Sequence, residues 1–392
     1  MKNTYIGTYS RTPIGSFQGS LSSMTATELG SCVIDDVLMK SRINKENVDE
    51  VIMGNVLSAN LGQAPARQAA LGAKLNYQTE CMTINKVCGS GLKAVMLADQ
   101  SIKMKNSNIV IAGGMESMSR APHYLDKSRS GTVFGHSKII DSILKDGLWD
   151  PYNNFAMGNC AEQLCKEKKY TREMQDEFAL MSYERANYAI KNDLFNHEIC
   201  NVEIKNRKNT SIINVDEEPL KFNANKLSKL RPAFDKEGTI TAANASSLSD
   251  GAASLLVLSE DSIENEKIKP KARIVGHASF AMEPINFTKA PVYAIKKVLK
   301  ETKISLNDID LFEINEAFSC VAMYAIDELD LNKDKVNING GAVSLGHPIG
   351  ASGTRILVTL VNALCNKGLK YGIACLCIGG GEASAILIEN CE

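Results

Sequence analysis

The sequence predicts an α/β fold built from two similar halves, and three observations support this prediction. Strand-like apolar runs alternate with helical stretches over residues 1–118, as in layered α/β proteins with a largely parallel sheet. The same succession returns near the C-terminus, and the region between the two breaks the rhythm. With 392 residues, the chain is long enough for two domains or for one large one.

The first half begins with an N-terminal run whose apolar residues predict a strand. The next elements are strands at 51–57, 81–87 and 108–114 and helices at 24–40 and 91–104. Strands that alternate with helices in this way favour a mostly parallel sheet with helices on its faces.

The second half repeats this order. Its predicted strands are 310–318, 336–343 and 371–381, and its predicted helix is 350–366. Three pairs of landmarks align the halves: Asn55 with Asn315, 260 positions later; Ser90-Gly91 with Ser352-Gly353, 262 later; and Ile109 with Ile373, 264 later. A slowly drifting offset indicates a duplicated unit with small insertions.

Residues 119–245 form a predicted insertion between the halves. Residues 146–192 are helical and charged, whereas residues 221–234 are irregular and basic. Long excursions of this kind often carry substrate contacts. We therefore divide the chain into an N-terminal half (1–118 and 246–266), an inserted loop domain (119–245) and a C-terminal half (267–392), with a charged seam at 259–272.

Composition excludes several classes of function. The chain is 44% hydrophobic and 23% charged, and its net charge is −1, so neither nucleic acid nor a membrane is expected as a partner. No apolar run reaches the roughly 20 residues of a membrane span. The N-terminus has no targeting pattern, so we expect a cytoplasmic protein, or a mitochondrial one if a presequence was removed. The eleven cysteines show no zinc-type spacing, and each is first interpreted as a small buried residue.

Cys88 is the first candidate for chemistry, because an apolar run ends there and a Gly-Ser-Gly turn opens a helix. Backbone N–H groups and the helix dipole at such a position favour a thiolate and lower a thiol pKa. Gly89 and Gly91 would leave room for a substrate. A buried cysteine chosen for its size is an equally good interpretation.

His347 lies in the glycine-dense stretch "NGGAVSLGHPIGASG" beside a helix start, a context that suits a base for a nearby thiol. Cys377 ends a strand before three glycines, whose amides can form an oxyanion hole. A buried strand cysteine before a turn is the more ordinary interpretation of "CLCIGGG". Asn315 and Glu316 end a strand as a buried polar pair, which either serves function or forms a structural network.

A basic cluster lies in the inserted region. It comprises Lys221, Lys226, Lys229 and Arg231. Such a run is usually a solvated face, and it can also hold a phosphorylated ligand.

Taken together, "NKVCGSG", "NEAF", "GGAVSLGHPIGASG" and "CIGGG" resemble the thiolases, most closely their acetyl-CoA acetyltransferase branch of the mitochondrial, potassium-activated type. Six further motifs follow the family in order: "GNVL", "PARQAA", "AGGMESMSR", "DGLWD", "MGNCAE" and "TAANASSLSDGAA". The resemblance covers essentially the whole chain. It implies two βαβαβαββ halves stacked in a five-layered αβαβα arrangement, with a loop domain inserted in the first.

The resemblance also implies a reaction, the reversible Claisen condensation of two acetyl-CoA to acetoacetyl-CoA and CoA. Cys88 would carry the acetyl group, His347 would take its proton, and Cys377 would be the acid/base for the second substrate. The amides of Cys88 and Gly379 would hold the acyl oxygen. His347, with a water positioned by Asn315, would hold the enolate oxygen.

The same resemblance implies ligand contacts and an assembly. Coenzyme A, a substrate and product rather than an organic cofactor, would contact Met157, Lys221, Phe222, Asn223, Lys226, Ser246, Leu248, Ala317 and Phe318. Potassium would be bound by Tyr183, Ala242, Ala243, Ala245 and Val343. The chain would form a homo-oligomer, either a dimer or a tetramer.

Two positions depart from the family pattern. Ala156 stands where many members have a histidine, and Phe287-Thr288 stands where the potassium-activated branch has Phe-Pro. Phe287 would still wall off a short acyl pocket, while use of 2-methyl-branched substrates stays open.

Three alternatives to the implied activity were considered. The first is a degradative 3-ketoacyl-CoA thiolase with a broader chain-length range. The second is a decarboxylating ketoacyl synthase, against which Cys377 argues. The third is a catalytically dead CoA-binding relative, which would have lost Cys88, His347 or Cys377, and all three are present.

Overall fold

The computed structural model describes residues 3–131, 133–205 and 209–392. Its strands are β1 (Thr4–Arg11), β2 (Gly15–Ser16), β3 (Glu50–Gly54), β4 (Glu80–Ile84), β5 (Ile109–Ser117), β6 (His123–Leu125), β7 (Ile139–Asp141), β8 (Trp149–Asp150), β9 (Phe155–Ala156), β10 (Val202–Lys205), β11 (Thr210–Ile213), β12 (Ser249–Ser259), β13 (Ala272–Ala281), β14 (Leu311–Ile314), β15 (Tyr371–Ile378) and β16 (Glu382–Asn390). Its α-helices are α1 (Ala26–Ser41), α2 (Pro65–Gly72), α3 (Ser90–Lys103), α4 (Met157–Lys168), α5 (Arg172–Lys191), α6 (Glu218–Lys221), α7 (Glu260–Glu266), α8 (Ala290–Thr302), α9 (Ser319–Leu329), α10 (Ala342–Leu345) and α11 (Ser352–Lys367).

The main strands run in the spatial order β14-β15-β16-β13-β1-β12-β5-β3-β4, with β2 paired to β12. Strand β3 is parallel to β4 and β5, and β14 is parallel to β15, whereas the other main pairs are antiparallel. The two halves meet where Thr4–Ile6 of β1 pairs with Ala272–Ile274 of β13. Each half is therefore a mixed sheet, and the prediction of a mostly parallel sheet is wrong. Strands β15 and β16, for example, are joined by a turn of three residues, which allows only antiparallel pairing. The two sheets join at their antiparallel edges.

The order of strands confirms the predicted duplication. In the first half β3, β5, β12 and β1 are neighbours, and in the second half β14, β15, β16 and β13 occupy the same order. Strands β3 and β14 both end directly before an asparagine, Asn55 or Asn315, and α3 and α11 both begin at the serine of a Ser-Gly pair.

One predicted strand, 336–343, is wrong. Only Val336 bridges to Phe312, and α10 follows. The side chain of Asn337 takes over the pairing, because its amide accepts from the backbone N–H of Ile314 and donates to the Ile314 carbonyl, both at 2.8 Å. Gly340 then turns the chain with a φ of +83°, which ends any extended run.

Helices α3 and α11 cross in the middle of the molecule and contact strands of both sheets. Their crossing is close because glycines lie at it: a Cβ on Gly91 would approach Thr354 Oγ1 to 2.6 Å, and one on Gly353 would overlap the backbone of Leu92. Helices α1 and α2 cover the first sheet on its outer face, and α8 covers the second. This is the five-layered αβαβα arrangement that the resemblance implies.

The inserted region contributes α4, α5 and three short hairpins, β6/β7, β8/β9 and β10/β11. The predicted helical run from 146 begins too early, since α4 starts at Met157 after the β8/β9 hairpin. Arg11 of β1 fixes this region to the core: its buried guanidinium pairs with Glu198 at 2.5 Å and with Asp216 at 2.7 Å. Among the helices of the described ranges, none has both the length and the apolar content required to cross a bilayer.

Candidate active site

Cys88 lies in a tight elbow between β4 and α3. Val87, directly before it, has a φ of +46°, a conformation that is strained for a β-branched residue. Hydrogen bonds hold the elbow in this shape: Asn85 Oδ1 accepts from Val87 N at 2.9 Å, and Ser90 Oγ accepts from Lys86 N at 2.8 Å and donates to the Val87 carbonyl at 2.6 Å. The local sequence thus builds a rigid turn that presents the cysteine side chain.

Cys88 is half-buried. Burial raises its pKa to about 11, even though the backbone N–H groups of Gly379 and of Cys88 itself oppose this rise. The sequence-based expectation of a lowered pKa is therefore wrong for the resting protein. Desolvation of a thiolate outweighs two backbone hydrogen bonds at this site.

The glycines around Cys88 serve packing rather than substrate access, which corrects the sequence-based interpretation. A Cβ on Gly89 would collide with the side chain of Ile378, and one on Gly91 would meet α11. Both glycines thus face packed protein atoms and not the space where a substrate would bind.

His347 lies in a buried turn just before α11, with 6% of its surface exposed. Its Nδ1 lies 2.5 Å from Ser352 Oγ, and that hydroxyl also lies 2.9 Å from the Pro348 carbonyl, which can only accept. The hydroxyl proton therefore goes to Pro348, and Nδ1 must carry the proton donated to Ser352. This leaves Nε2 as the unprotonated nitrogen, and it has no hydrogen-bond partner among the residues that the structure describes.

Electrostatics keep His347 neutral. Burial, reinforced by the positive charge of Arg355, lowers its pKa to about 4. At neutral pH the ring is thus a free base with its lone pair on Nε2.

Cys377 ends β15 and is fully buried. Its thiol pKa is raised well above the usual value by burial and by the nearby sulfur atoms of Cys88 and Cys375. Two residues further on, Gly379 lines the same cavity as Cys88, and its backbone N–H opposes the rise in the Cys88 pKa. The catalytic roles of these residues stay a prediction.

Asn315 and Glu316 have different surroundings. The Glu316 carboxylate accepts from Ser182 Oγ at 2.8 Å, Asn337 Nδ2 at 2.8 Å and the amide of Val343 at 3.1 Å, so it is a structural anchor. The Asn315 side chain is buried, and neither its oxygen nor its nitrogen has a partner within the described part of the chain. It is therefore free to hold a water or a ligand.

A cavity of about 380 Å³ brings three of the candidate residues together, whereas Cys377 and Asn315 lie buried outside its lining. Cys88, His347 and Gly379 line it, and its other walls are mainly apolar. These walls comprise Met118, Leu144, Gly147, Leu148, Ala156, Met157, Gly158, Ala233, Phe234, Thr241, Ala242, Ala245, Ser246, Ser247, Leu248, Phe287, Ala317, Phe318 and Ile349. Five predicted CoA contacts are among them: Met157, Ser246, Leu248, Ala317 and Phe318.

The other four predicted CoA contacts do not line this cavity. Lys221 reaches Glu217 and Ser16 Oγ, both at 2.7 Å, and Phe222 stacks on Tyr183 with 3.9 Å between ring centroids. Asn223 and Lys226 are exposed on the surface of the inserted region.

Four of the five predicted potassium contacts fall into two groups. Tyr183 and Val343 pack together, whereas Ala242 and Ala245 line the cavity. The backbone N–H groups of Ala243 and Ala245 donate to the side-chain and carbonyl oxygens of Thr241. Within the described residues, the carbonyl oxygens of Ala242, Ala243 and Ala245 accept no hydrogen bond. Free carbonyl oxygens are ligands of the kind that hard cations take in proteins.

Two residues that support the site were missed by sequence reasoning. Ser352 was noted only as a landmark of the repeat, although a serine five positions after a histidine at a helix start could have been recognised. Glu116 joins the loop after β3 to the loop that follows His347: it accepts from the amides of Val56 at 3.1 Å and Gly350 at 2.8 Å. Burial raises its pKa to about 7, and nothing in its sequence context indicated this role.

The fold and the cavity that Cys88 and His347 line suit an acyltransferase, and comparison with known proteins shows that the chain is one. Residues 4–261 match the family model "Thiolase, N-terminal domain", and residues 268–390 match "Thiolase, C-terminal domain". The chain belongs to the thiolase family.

Three similar curated proteins are each named as an acetyl-CoA acetyltransferase. The probable acetyl-CoA acetyltransferase of Dictyostelium discoideum is 50% identical over 97% of this chain and 92% of its own length. The acetyl-CoA acetyltransferase of Yarrowia lipolytica is 51% identical over 98% and 96%. The mitochondrial acetyl-CoA acetyltransferase of Bos taurus is 50% identical over 97% and 90%.

Solved structures show the same similarity in three dimensions. The acetyl-CoA acetyltransferase of Bacillus anthracis superposes with a TM-score of 0.97 at 40% identity, covering 100% of this chain and 99% of its own. The Acat5 thiolase of Ascaris suum, solved in complex with coenzyme A, superposes with a TM-score of 0.94 at 42% identity, covering 99% and 100%.

Proposed function

We propose that this chain is an acetyl-CoA acetyltransferase, which condenses two acetyl-CoA molecules reversibly to acetoacetyl-CoA and CoA through an acetyl group on Cys88. The observation that carries the proposal is the convergence of the Cys88 sulfur, the bare His347 Nε2 and the Gly379 amide on one apolar cavity. The names of its relatives, about 50% identical over nearly the whole chain, support the same activity.

In the first half-reaction the Cys88 sulfur attacks the carbonyl carbon of acetyl-CoA while His347 Nε2 takes the thiol proton. The amides of Cys88 and Gly379 hold the oxygen as it becomes negative. The bond to the CoA sulfur then breaks, and Cys377, a thiol at rest because its pKa is raised, gives the CoA sulfur its proton. The products are acetyl-Cys88, CoA, a thiolate on Cys377 and a protonated His347.

In the second half-reaction the Cys377 thiolate removes an α-proton from the second acetyl-CoA. His347, now protonated on Nε2, and a water held by Asn315 stabilise the enolate oxygen. The enolate carbon attacks acetyl-Cys88, the carbon–sulfur bond breaks, and Cys88 recovers its proton from His347. All three groups return to their starting states, so the cycle balances.

The cavity also bears on the ligand and its chain length. The pantetheine arm of CoA would lie along Met157, Ser246 and Leu248, with Ala317 and Phe318 opposite. The basic residues Lys221 and Lys226 would meet its phosphates outside the cavity. Phe287, buried at the cavity wall, would limit the acyl chain to a few carbons.

The test is steady-state thiolysis of 3-ketoacyl-CoA substrates of increasing length. We expect kcat/KM to be highest for acetoacetyl-CoA and to fall at least about tenfold for the eight-carbon 3-ketoacyl-CoA, since each added methylene must find space in a bounded pocket. The Cys88→Ala variant should be inactive on both. An activity that rises with chain length would contradict this proposal and would identify the chain as a degradative 3-ketoacyl-CoA thiolase with a broader chain-length range.

We further propose that potassium binds at the carbonyl oxygens of Ala242, Ala243, Ala245 and Val343 with the Tyr183 hydroxyl. The free carbonyl oxygens of the three alanines support this site. The ion would order the 241–248 segment that lines the cavity. Potassium should then raise the melting temperature above that in equimolar sodium, and Tyr183→Phe should remove most of the difference; an equal melting temperature in both salts would reject the site.

We propose, in addition, that the chain forms a homo-oligomer. Strand β4 is the last strand of the sheet order, and Met82 within it and Tyr77 before it are strongly exposed, 46% and 81%. Exposed apolar residues on an open sheet edge favour pairing with a second copy. Light scattering should give a dimer or a multiple of it, and Met82→Glu should weaken it; a monomer at micromolar concentration would contradict the proposal.

The three-part division of the chain belongs to the same proposal. Met157 and Phe234 of the region 119–245 line the same cavity as Cys88 and Gly379, which supports a substrate-facing role for the insertion. The cytoplasmic assignment stays a prediction, since some relatives are named mitochondrial and others are not.

A further inference from the structure

An ion pair connects the two loops that supply the amides at Cys88. Lys86 Nζ, in the elbow before Cys88, contacts Glu382 Oε2, the first residue of β16. The two residues are 296 positions apart, and neither is used by the reaction described above. Both side chains remain partly open to solvent, with 24% of Lys86 and 36% of Glu382 exposed.

On the elbow side, Lys86 is rigidly coupled to Cys88. Its backbone N–H bonds to Ser90 Oγ at 2.8 Å, and its carbonyl accepts from Gly89 N at 3.0 Å. Between them lies Val87 with its left-handed φ. A force on the Lys86 side chain is therefore transmitted to the strained residue Val87, and the residue after Val87 is Cys88, which carries the sulfur.

On the other side, the chain between β15 and β16 has no side chain of its own to fix it. Gly379, Gly380 and Gly381 form the turn, and the last two have φ values of +91° and +90°. Gly380 has open space around it. The Gly381 carbonyl accepts from Met282 N at 2.8 Å, and Glu382 is the first side chain after the glycines that can fix the turn laterally.

From this juxtaposition we propose that the Lys86–Glu382 pair is a positioning clamp, which holds the Gly379 amide against the Cys88 sulfur and so sets the width of the oxyanion hole. The catalytic part of this inference rests on the proposed function. A partly exposed ion pair adds little to folding stability, so the clamp acts on geometry. A displacement well below 1 Å at a reacting centre already changes rates measurably.

Lys93, one turn into α3, lies near both partners. Its pKa is lowered by burial and by Lys86, and the charge of Glu382 opposes this. Lys93 can therefore replace Lys86 as a partner of Glu382, whereas Lys86 has no second acidic partner among the residues that the structure describes. The acidic partner is the better position to test.

The experiment compares Glu382→Gln with the wild-type enzyme and with the matched control Glu389→Gln. Glu389 lies seven residues further along β16 and pairs with Arg273 at 2.5 Å, far from the elbow. We expect Glu382→Gln to lower kcat for acetoacetyl-CoA thiolysis about tenfold with KM changed less than about twofold, and to leave the melting temperature within about 2 °C. Glu389→Gln should leave kcat within about twofold.

A second readout needs no turnover. If the Gly379 amide is released from the sulfur, the Cys88 thiolate loses a donor, so alkylation by iodoacetamide should slow about threefold in Glu382→Gln and not in Glu389→Gln. The double variant Lys86→Glu/Glu382→Lys restores the pair with reversed charges and should recover at least half of the lost kcat.

Several outcomes would overturn the clamp. Unchanged kcat and unchanged alkylation in Glu382→Gln would do so, as would equal losses in Glu382→Gln and Glu389→Gln, or failure of the reversed pair to recover kcat. If the wild-type enzyme does not cleave acetoacetyl-CoA, the proposed function fails, and the alkylation comparison still decides whether the pair positions Gly379 on Cys88.

Discussion

At Cys88 and His347, burial decides which group holds the proton. The thiol pKa is raised to about 11 and the imidazole pKa is lowered to about 4, so a thiol beside a neutral imidazole is the resting state over the whole physiological range. An ion pair of thiolate and imidazolium would have to form against both shifts. In the proposed reaction the proton therefore moves only as the sulfur attacks its substrate, when a developing bond stabilises the sulfur charge.

This protonation state predicts a pH profile for alkylation. Between pH 7 and 10 the thiolate fraction of Cys88 rises with pH, because its pKa lies above this interval. The rate constant for iodoacetamide at Cys88, followed by peptide mapping, should rise about tenfold per pH unit. A plateau that begins below pH 8 would show instead that a preformed ion pair exists.

Ser352 provides a second test at the residue scale. Its hydroxyl fixes the tautomer that leaves His347 Nε2 bare, so Ser352→Ala should lower kcat about tenfold with little effect on KM. Ser352→Thr, which keeps the hydroxyl, should retain most of the activity. If the threonine variant is no better than the alanine variant, packing rather than the hydrogen bond explains the loss.

At the scale of elements, the crossing of α3 and α11 determines where the site forms. The two helices begin at equivalent serines, and the loop before each carries a candidate catalytic residue, Cys88 before α3 and His347 before α11. A Cβ at Gly353 would overlap the backbone of Leu92, which cannot move aside as a flexible side chain would.

Gly353→Ala is therefore expected to lower the free energy of unfolding by roughly 2–3 kcal/mol. The control is Gly251→Ala in β12, where the nearest atom would be Pro348 Cγ at an ordinary 3.4 Å. Urea unfolding of the two variants measures the difference. Equal stabilities would mean that the helices separate at no cost and that the crossing is not tightly packed.

The sequence predicted most of these elements because their apolar periodicity is strong. Strands β3, β4, β5, β14 and β15 and helices α1, α3 and α11 all lie within a few residues of the expected positions. The wrong strand prediction at 336–343 has a specific cause. The side chain of Asn337 makes the hydrogen bonds to Ile314 that a backbone strand residue would make, and apolar periodicity cannot predict a side-chain hydrogen bond. The pKa of Cys88 was mispredicted for a related reason: the helix start is visible in sequence, whereas the packing that buries the sulfur is not.

At the scale of the whole molecule, buried charges join regions that are distant in sequence. Arg11 of β1 lies between Glu198 and Asp216, and Glu198 also accepts from Thr359 of α11 at 3.0 Å. The first strand, the inserted region and the central helix thus meet at one guanidinium. Removing a single partner of such a group leaves the others charged and without compensation.

Arg11→Met should accordingly lower the free energy of unfolding by about 3–5 kcal/mol. Lys40→Met, which removes a partly exposed pair with Asp36 at 2.7 Å, should cost less than about 1 kcal/mol. Chemical denaturation monitored by circular dichroism compares them. A loss in Arg11→Met as small as that of Lys40→Met would show that the buried network does not bear on stability.

The central claim is that Cys88 carries the acyl group, and mass mapping of the acetylated protein tests it most directly. Incubation with acetyl-CoA, an acid quench and peptide mass spectrometry should find one acetyl group on the peptide that contains Cys88. The Cys377→Ala variant should form it more slowly, because CoA must leave without the proton that Cys377 gives, and should then retain it, because the second half-reaction is blocked. An acetyl group on Cys377 or another residue, or turnover that persists in Cys88→Ala, would contradict the account.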